Sequence, residues 1–255
     1  MKHTENIKIG WLYPRLMSTY GDRGNIYVLQ KRLAWRGYDT EVVEIHETDR
    51  LTRLETMDIV MMGGAQDVQQ EIVAECLMRD KDVLLAQLES GLPGLFVCGA
   101  YQFLGNYYIT ADNVRLVGLG YFPMYTKSTL NQPRLIGNIA LKSSIVLPGA
   151  SQTIIGFENH GGRSYFDKES AAAFGQVMRG FGNNGEDSTE GLVMHNTIGT
   201  YLHGPLLPKN PGVADWLITR VLVRRGLIGE SDQLAPITLF EEPTRDYVLK
   251  HRLDM

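Results

Sequence analysis

Over roughly its first 105 residues the chain alternates short apolar runs with amphipathic stretches, and this alternation restricts the fold more than any other feature. Ile7 to Tyr13 reads as a strand. Asp22 to Arg36 reads as a helix with Ile26, Leu29 and Leu33 on one face and Gly37 at its C-cap. Glu41 to Ile45 and Asp58 to Met62 follow as strands, the second ending in Gly63-Gly64. A helix over Gln66 to Arg79 is expected to turn Val68, Ile72, Cys76 and Leu77 inward, and a second spans Asp82 to Ser90. Gly91-Leu92-Pro93-Gly94 then turns the chain into the apolar run Leu95-Phe96-Val97. Strands alternating with helices predict an α/β fold of three layers, with a mostly parallel sheet flanked by helices on both faces.

The second half has another texture. Arg134 to Leu141, Thr153 to Phe157, Ala173 to Met178, Leu192 to His195 and Ile198 to Leu202 are expected to be short strands, with a tight turn at Asn196-Thr197. Asn210-Pro211 suits a helix start, with Asn as N-cap, and the helix is expected to run to Arg225 before Gly226. The charged segment from about residue 229 reads as a tail that docks loosely or binds a partner. No linker is visible, so residues 1–255 read as one domain.

Composition removes several classes. Hydrophobic residues make up 44% of the chain, enough apolar surface to offset the entropy of ordering it. Lys and Arg number 25 against 29 Asp and Glu, which leaves no excess of cations for nucleic acid. No apolar run is long enough to span a bilayer, and residues 1–6 carry no apolar leader core. Two cysteines, Cys76 and Cys98, do not make a disulfide framework, so the expected compartment is the cytoplasm.

Cys98 is the residue that most suggests chemistry. It lies between the apolar strand Leu95-Phe96-Val97 and Gly99-Ala100-Tyr101-Gln102-Phe103-Leu104, which reads as a helix opening on small residues. A helix N-terminus offers unpaired N–H groups and partial positive charge, so the thiol is expected to ionise easily there. Cys76, on an apolar helix face, reads as structural. A thiol nucleophile needs a base. His203, between Tyr201-Leu202 and Gly204-Pro205, follows a strand and would reach the sheet edge where Cys98 lies; His160, before Gly161-Gly162, is its rival.

Gly63-Gly64 could lend an N–H to an oxyanion, with Gly99 as second donor. Arg134 has the fork geometry to hold a substrate carboxylate, although an arginine at a strand start is usually solvated. Gly180-Phe181-Gly182-Asn183-Asn184-Gly185 matches the spacing of a dinucleotide fingerprint, but the acidic run that follows it would repel a pyrophosphate. It reads as a flexible loop, and no P-loop motif occurs elsewhere.

The segments Val97 to Gln102 and Tyr201 to Gly204 resemble triad-type glutamine amidotransferases of the cobyric acid synthase branch. With Tyr20 to Asn25, Gly63 to Asp67, Ile155 to Arg163 and Gly199 to Pro205 included, the chain is similar to the GatD family of glutaminase subunits from lipid II isoglutaminyl synthases. The resemblance implies a class I amidotransferase-like, flavodoxin-like fold. It implies Cys98 as nucleophile, His203 as base, and Arg134, Gly64, Gly99 and Gln102 on the side of L-glutamine. It implies no cofactor in this chain, with ATP bound instead by a Mur-ligase-like partner, MurT, in a heterodimer acting in peptidoglycan synthesis. Two positions depart from the wider pattern. Phe96 and Ala100 replace the glycines that usually flank the elbow, and Pro205 stands where an acid two residues after the histidine is usual. In the resembling family that acid is thought to come from the partner. Another acceptor, such as a corrinoid carboxylate, a different cysteine hydrolase on the same fold, and a non-catalytic scaffold remain open alternatives.

Overall fold

The structure is a computed structural model. It describes residues 5–18, 21–65, 67–128, 132–149, 151–167, 171–232, 234–235, 237 and 241–253. In chain order the elements are β1 (Asn6–Leu12), α1 (Arg23–Trp35), β2 (Asp39–Ile45), β3 (Ile59–Met62), α2 (Asp67–Arg79), α3 (Lys81–Glu89), β4 (Gly94–Val97) and α4 (Gly99–Phe103). Then come β5 (Tyr107–Ile109), β6 (Arg115–Val117), β7 (Met124–Lys127), β8 (Leu135–Ser143), β9 (Thr153–His160), β10 (Arg163–Phe166) and β11 (Gly175–Arg179). The chain closes with β12 (Thr189–Glu190), β13 (Leu192–Met194), β14 (Thr197–Thr200), α5 (Leu206–Lys209), α6 (Pro211–Arg224) and α7 (Glu241–Arg252).

Among the described residues the strands form three sheets. The central sheet runs β13-β14-β4-β3-β1-β2. Its neighbours pair in parallel apart from β13, which is antiparallel to β14. Every residue of β3, β4 and β14 is buried, as expected for strands covered on both faces. The crossover through α1 and the one through α2 and α3 travel in opposite directions along the sheet, so right-handed connections place them on opposite faces. This is the α/β architecture expected from the strand–helix alternation.

The other two sheets are four-stranded, in the orders β10-β7-β5-β6 and β12-β11-β8-β9. The first is held in part by stacking of Tyr107 on Tyr125 and of Tyr125 on Tyr165. The strands β5, β6, β7 and β10 escape a periodicity reading because each has only three or four residues.

Several local expectations change. On α2 the inward residues are Val73 and Leu77, whereas Ile72 is 47% exposed. Cys76 is half-buried and donates to the Glu47 carbonyl; the side chain of Val68 lies outside the described residues. The turn before β14 is His195-Asn196, one residue earlier than expected, with His195 at φ 50°. Asn210 precedes α6 but makes no side-chain cap bond. Its amide instead exchanges two hydrogen bonds with the Ile155 backbone, at 2.9 and 2.7 Å, pinning the helix start to β9.

The segment Gly180 to Gly185 is a loop, but a tightly bonded one. The N–H groups of Phe181 and Gly182 each donate to the Glu158 carboxylate at 2.8 Å, and Asn183 and Asn184 are buried. Its backbone N–H groups bind a carboxyl group after all, supplied by Glu158 of β9. The expected loose tail is also corrected, because α7 packs onto the body. Its Arg245 guanidinium donates to the carbonyls of Lys209 and Thr153, to Asn210 Oδ1 and to Ser151 Oγ, and Leu253 is buried on Ala140 and Ile155.

Candidate active site

Cys98 occupies the junction of β4 and α4 with φ 56° and ψ −110°. Positive φ in a non-glycine residue costs about 1–3 kcal/mol and survives only where the surroundings enforce it. Here the Cys98 N–H donates to the Thr200 carbonyl of β14 at 2.8 Å, and the Cys98 carbonyl accepts from Gln102 N–H at 3.0 Å. The bulky Phe96 is accommodated because Gly94 leaves room, since a Cβ there would lie 2.8 Å from its ring. The resting thiol is not the easily ionised group expected from its helix N-terminus. Burial pushes its pKa up to about 12, the nearby Asp22 carboxylate adds to this, and the Gly99 N–H facing the sulfur opposes it. A five-residue helix supplies too little positive potential to outweigh burial.

His203 follows β14, and its backbone exchanges two hydrogen bonds with Phe157 of β9. Gly64, at the end of β3, brings it against Cys98. A Cβ on Gly64 would lie 3.1 Å from Cys98 Cβ, 3.1 Å from His203 Cε1 and 3.7 Å from the sulfur. Burial and the cations of Arg134 and Lys209 lower the His203 pKa to about 4, so the ring is neutral and able to take a proton. On its other side, His203 Nδ1 lies 4.0 Å from Asp22 Oδ1. His160 is placed differently. It stacks flat on Tyr201 at 3.7 Å, and its Nδ1 is bonded to the Gly162 carbonyl at 2.7 Å. Desolvation lowers its pKa to about 3, so the ring is uncharged at neutral pH.

A thiol at a strained strand–helix junction, a neutral imidazole beside it, and a parallel sheet carrying both agree with what the chain resembles. Residues 8–211 match the CobB/CobQ-like glutamine amidotransferase domain family. The chain belongs to that family. It is 42% identical over 218 residues to the Staphylococcus aureus protein named lipid II isoglutaminyl synthase (glutamine-hydrolyzing) subunit GatD, covering 86% of this chain and 85% of that protein. It is 35% identical to the Streptococcus pneumoniae protein of the same name, covering 86% and 82%. Among solved structures, a chain of PurLQS from Thermotoga maritima shares the fold, with a TM-score of 0.55 at 12% identity over 88% of this chain and 99% of that one.

Within this amidotransferase fold, Arg134 lies exposed at the start of β8. Its Nε and Nη2 donate to the side chain and carbonyl of Asn159, each at 2.9 Å, which fixes the guanidinium and leaves Nη1 toward Gly161. Its charge favours ionisation of Cys98. Gln102 is one turn along α4, and its Nε2 donates to the Tyr201 hydroxyl at 3.0 Å. That hydroxyl is bonded to Ser164, and Ser164 to Thr126, each at 2.7 Å. The Gly64 N–H, expected to serve an oxyanion, instead donates to Asp22 Oδ2 at 2.9 Å. Gly64 therefore contributes space at this site, and Gly99 is the expected donor that faces the sulfur. Tyr20 and Gln66, part of the resembling segments, lie outside the described residues.

Sequence reasoning missed Asp22 and Asn159. Asp22 read as a helix-start residue, although the glycines on both sides of it marked an unusual close approach. Asn159 stands one residue before the rival histidine, where its clamp on Arg134 has no local signature.

Proposed function

We propose that this chain is a glutaminase subunit that releases ammonia from L-glutamine and delivers it to a Mur-ligase-like partner, MurT, which amidates the D-glutamate of lipid II to D-isoglutamine. The observation that carries the reading is the packing of Cys98 and His203 around Gly64, in a chain 42% identical to a named subunit of that synthase. The sulfur's proton passes to the imidazole as the thiolate attacks the side-chain amide carbon. The oxyanion takes the Gly99 N–H, and Arg134 holds the glutamine carboxylate. The C–N bond breaks as the imidazolium returns its proton to the departing ammonia. Water, deprotonated by His203, then clears the thioester and glutamate leaves. ATP is bound by the partner, and the pair works in the cytoplasm; no described helix is long and apolar enough to cross a membrane.

The test is glutamate release from glutamine by the native complex and by its Cys98→Ala form, with lipid II amidation followed in parallel. Loss of both activities in the variant is expected. Glutamate release that survives without the sulfur would refute the mechanism. Glutamine hydrolysis without lipid II amidation would point to another acceptor, such as a corrinoid carboxylate.

A further inference from the structure

Helix α7 closes one side of a cavity of about 210 Å³, whose other sides are β8, β9 and α5. The cavity is lined by Asn138, Ile155, Gly156, Lys209, Val248 and Arg252, none of which belongs to the candidate active site. Ile155 and Val248 supply an apolar wall. The other side chains are two cations and a carboxamide, with no carboxylate in the lining.

The polar side chains of this cavity are unmatched. Lys209 is half-buried, and burial alone lowers its pKa from the ordinary lysine value, with no carboxylate opposing it. Among the described residues its ammonium makes neither an ion pair nor a hydrogen bond, and the same holds for the side chains of Asn138 and Arg252. The backbone beside it is already committed. The Lys209 carbonyl accepts from Arg245 at 2.7 Å, and the Ile155 N–H and carbonyl are both bonded to Asn210. Packing against Gly204 holds the ammonium in place, since a Cβ there would lie 3.0 Å from Nζ. A half-buried ammonium without a counter-ion is unfavourable, and a second cation on the same small cavity adds repulsion. An anion between the two relieves both penalties.

We propose that this cavity is a binding site for a small oxyanion of the phosphate class, with Lys209 and Arg252 as its counter-ions and Asn138 as a neutral donor. Ammonium, guanidinium and carboxamide all present N–H donors, which suits a tetrahedral anion with several acceptor oxygens better than a carboxylate with two. The volume lies below the roughly 300–1,000 Å³ of ordinary small-molecule sites, so it suits the inorganic ion or a compact monoester. Bound there, the anion joins α5 to the last turn of α7. Arg245 fastens the first half of that helix through neutral acceptors, and Leu253 is buried just beyond its end. The anion is a third fastening, and the only one of the three that the surrounding solution controls.

The experiment titrates the full chain with inorganic phosphate by isothermal calorimetry, at fixed ionic strength in a zwitterionic buffer. Saturable binding of one ion per chain is expected, with a Kd of about a millimolar or tighter. Lys209→Met and Arg252→Met should each weaken it between about tenfold and a hundredfold, as each removes a charged donor. Lys250→Met removes a charge from an exposed residue in the same last turn but outside the lining, and should change Kd less than about twofold. Acetate should bind at least about fivefold more weakly than phosphate, and equal binding would overturn the phosphate class. Glycerol 3-phosphate, titrated in parallel, tells a monoester from the free ion by which binds tighter, and saturable binding of either upholds the site. Hydrogen exchange of α7 reads the site in wild type, whether or not a variant folds. Opening that parts Lys209 from Arg252 destroys the site, so phosphate at about ten times its Kd should slow exchange in α7 about tenfold. Three results would overturn the proposal: no saturable binding of either ion up to about 20 mM, equal weakening by Lys250→Met and Lys209→Met, or α7 exchange unchanged at saturation.

Discussion

Gly64 shows how closely the site is packed. The position where its Cβ would stand is 3.1 Å from both Cys98 and His203, tighter than ordinary van der Waals contact. Gly64→Ala should therefore displace the imidazole from the sulfur by a fraction of an ångström. The expected result is a loss of roughly a hundredfold in kcat, because catalytic groups tolerate little misplacement. Steady-state glutamate release, with circular dichroism as a folding check, measures this. The residues of the site were unequally legible. Cys98 and His203 stand at strand ends beside glycine, where sequence punctuation is strong. Asp22 was hidden because its place beside Gly64 and His203 depends on segments far along the chain, and local reasoning about helix starts accounted for it first. The thiol's state was misjudged for a related reason, since a helix N-terminus is visible in sequence and the depth of burial is not.

At the scale of elements, α1 and α6 are joined by charge. Arg32 donates to Asp215 from Nε and Nη2, at 2.8 and 2.6 Å, with both residues buried, and Arg36 reaches the same carboxylate at 2.9 Å. Removing the acid alone takes a buried carboxylate from two cations. Asp215→Ala should cost about 3–5 kcal/mol, whereas replacing Arg32 and Asp215 together by apolar residues should cost less. Thermal denaturation separates the two, with a drop of roughly ten degrees or more expected for the single variant. Elements of the central sheet were readable because fully buried parallel strands are continuous apolar runs, as in Ile59-Val60-Met61-Met62. Strands β8, β9, β11, β13 and β14 were readable from the Gly, Asn and Pro that separate them, whereas β5, β6, β7 and β10 are too short to carry such a run. Helix α7 was unreadable for another reason: it docks through one buried arginine and a short apolar group, Val248, Leu249 and Leu253, within an otherwise charged segment.

Across the whole molecule, the buried titratable groups give opposing pH dependences. Burial raises the pKa of Glu158 to about 7 and of Glu190 to about 8, so in the fold both keep a proton that the unfolded chain has released. Their contribution is present below the ordinary glutamate range and is lost as pH rises through 7 and 8. His160 and His203 do the reverse. They resist protonation in the fold, so stability is lost as pH falls from about 6.5 toward 4 and 3. The sum predicts a stability maximum in mildly acidic solution, with a decline above neutrality that Glu190→Gln should flatten. Urea denaturation midpoints across pH 5–9 test this, and equal slopes for variant and wild type would refute it.

The sequestered sulfur has a consequence for the idle protein. Peroxide and electrophilic poisons attack thiolates that they can reach, and a neutral thiol buried beside Gly64 and His203 offers little charge or access. On the proposed mechanism, the sulfur becomes vulnerable only when its proton passes to the imidazole in the presence of glutamine. Chemical inactivation should therefore follow turnover, and a resting pool of the protein should be spared by oxidants.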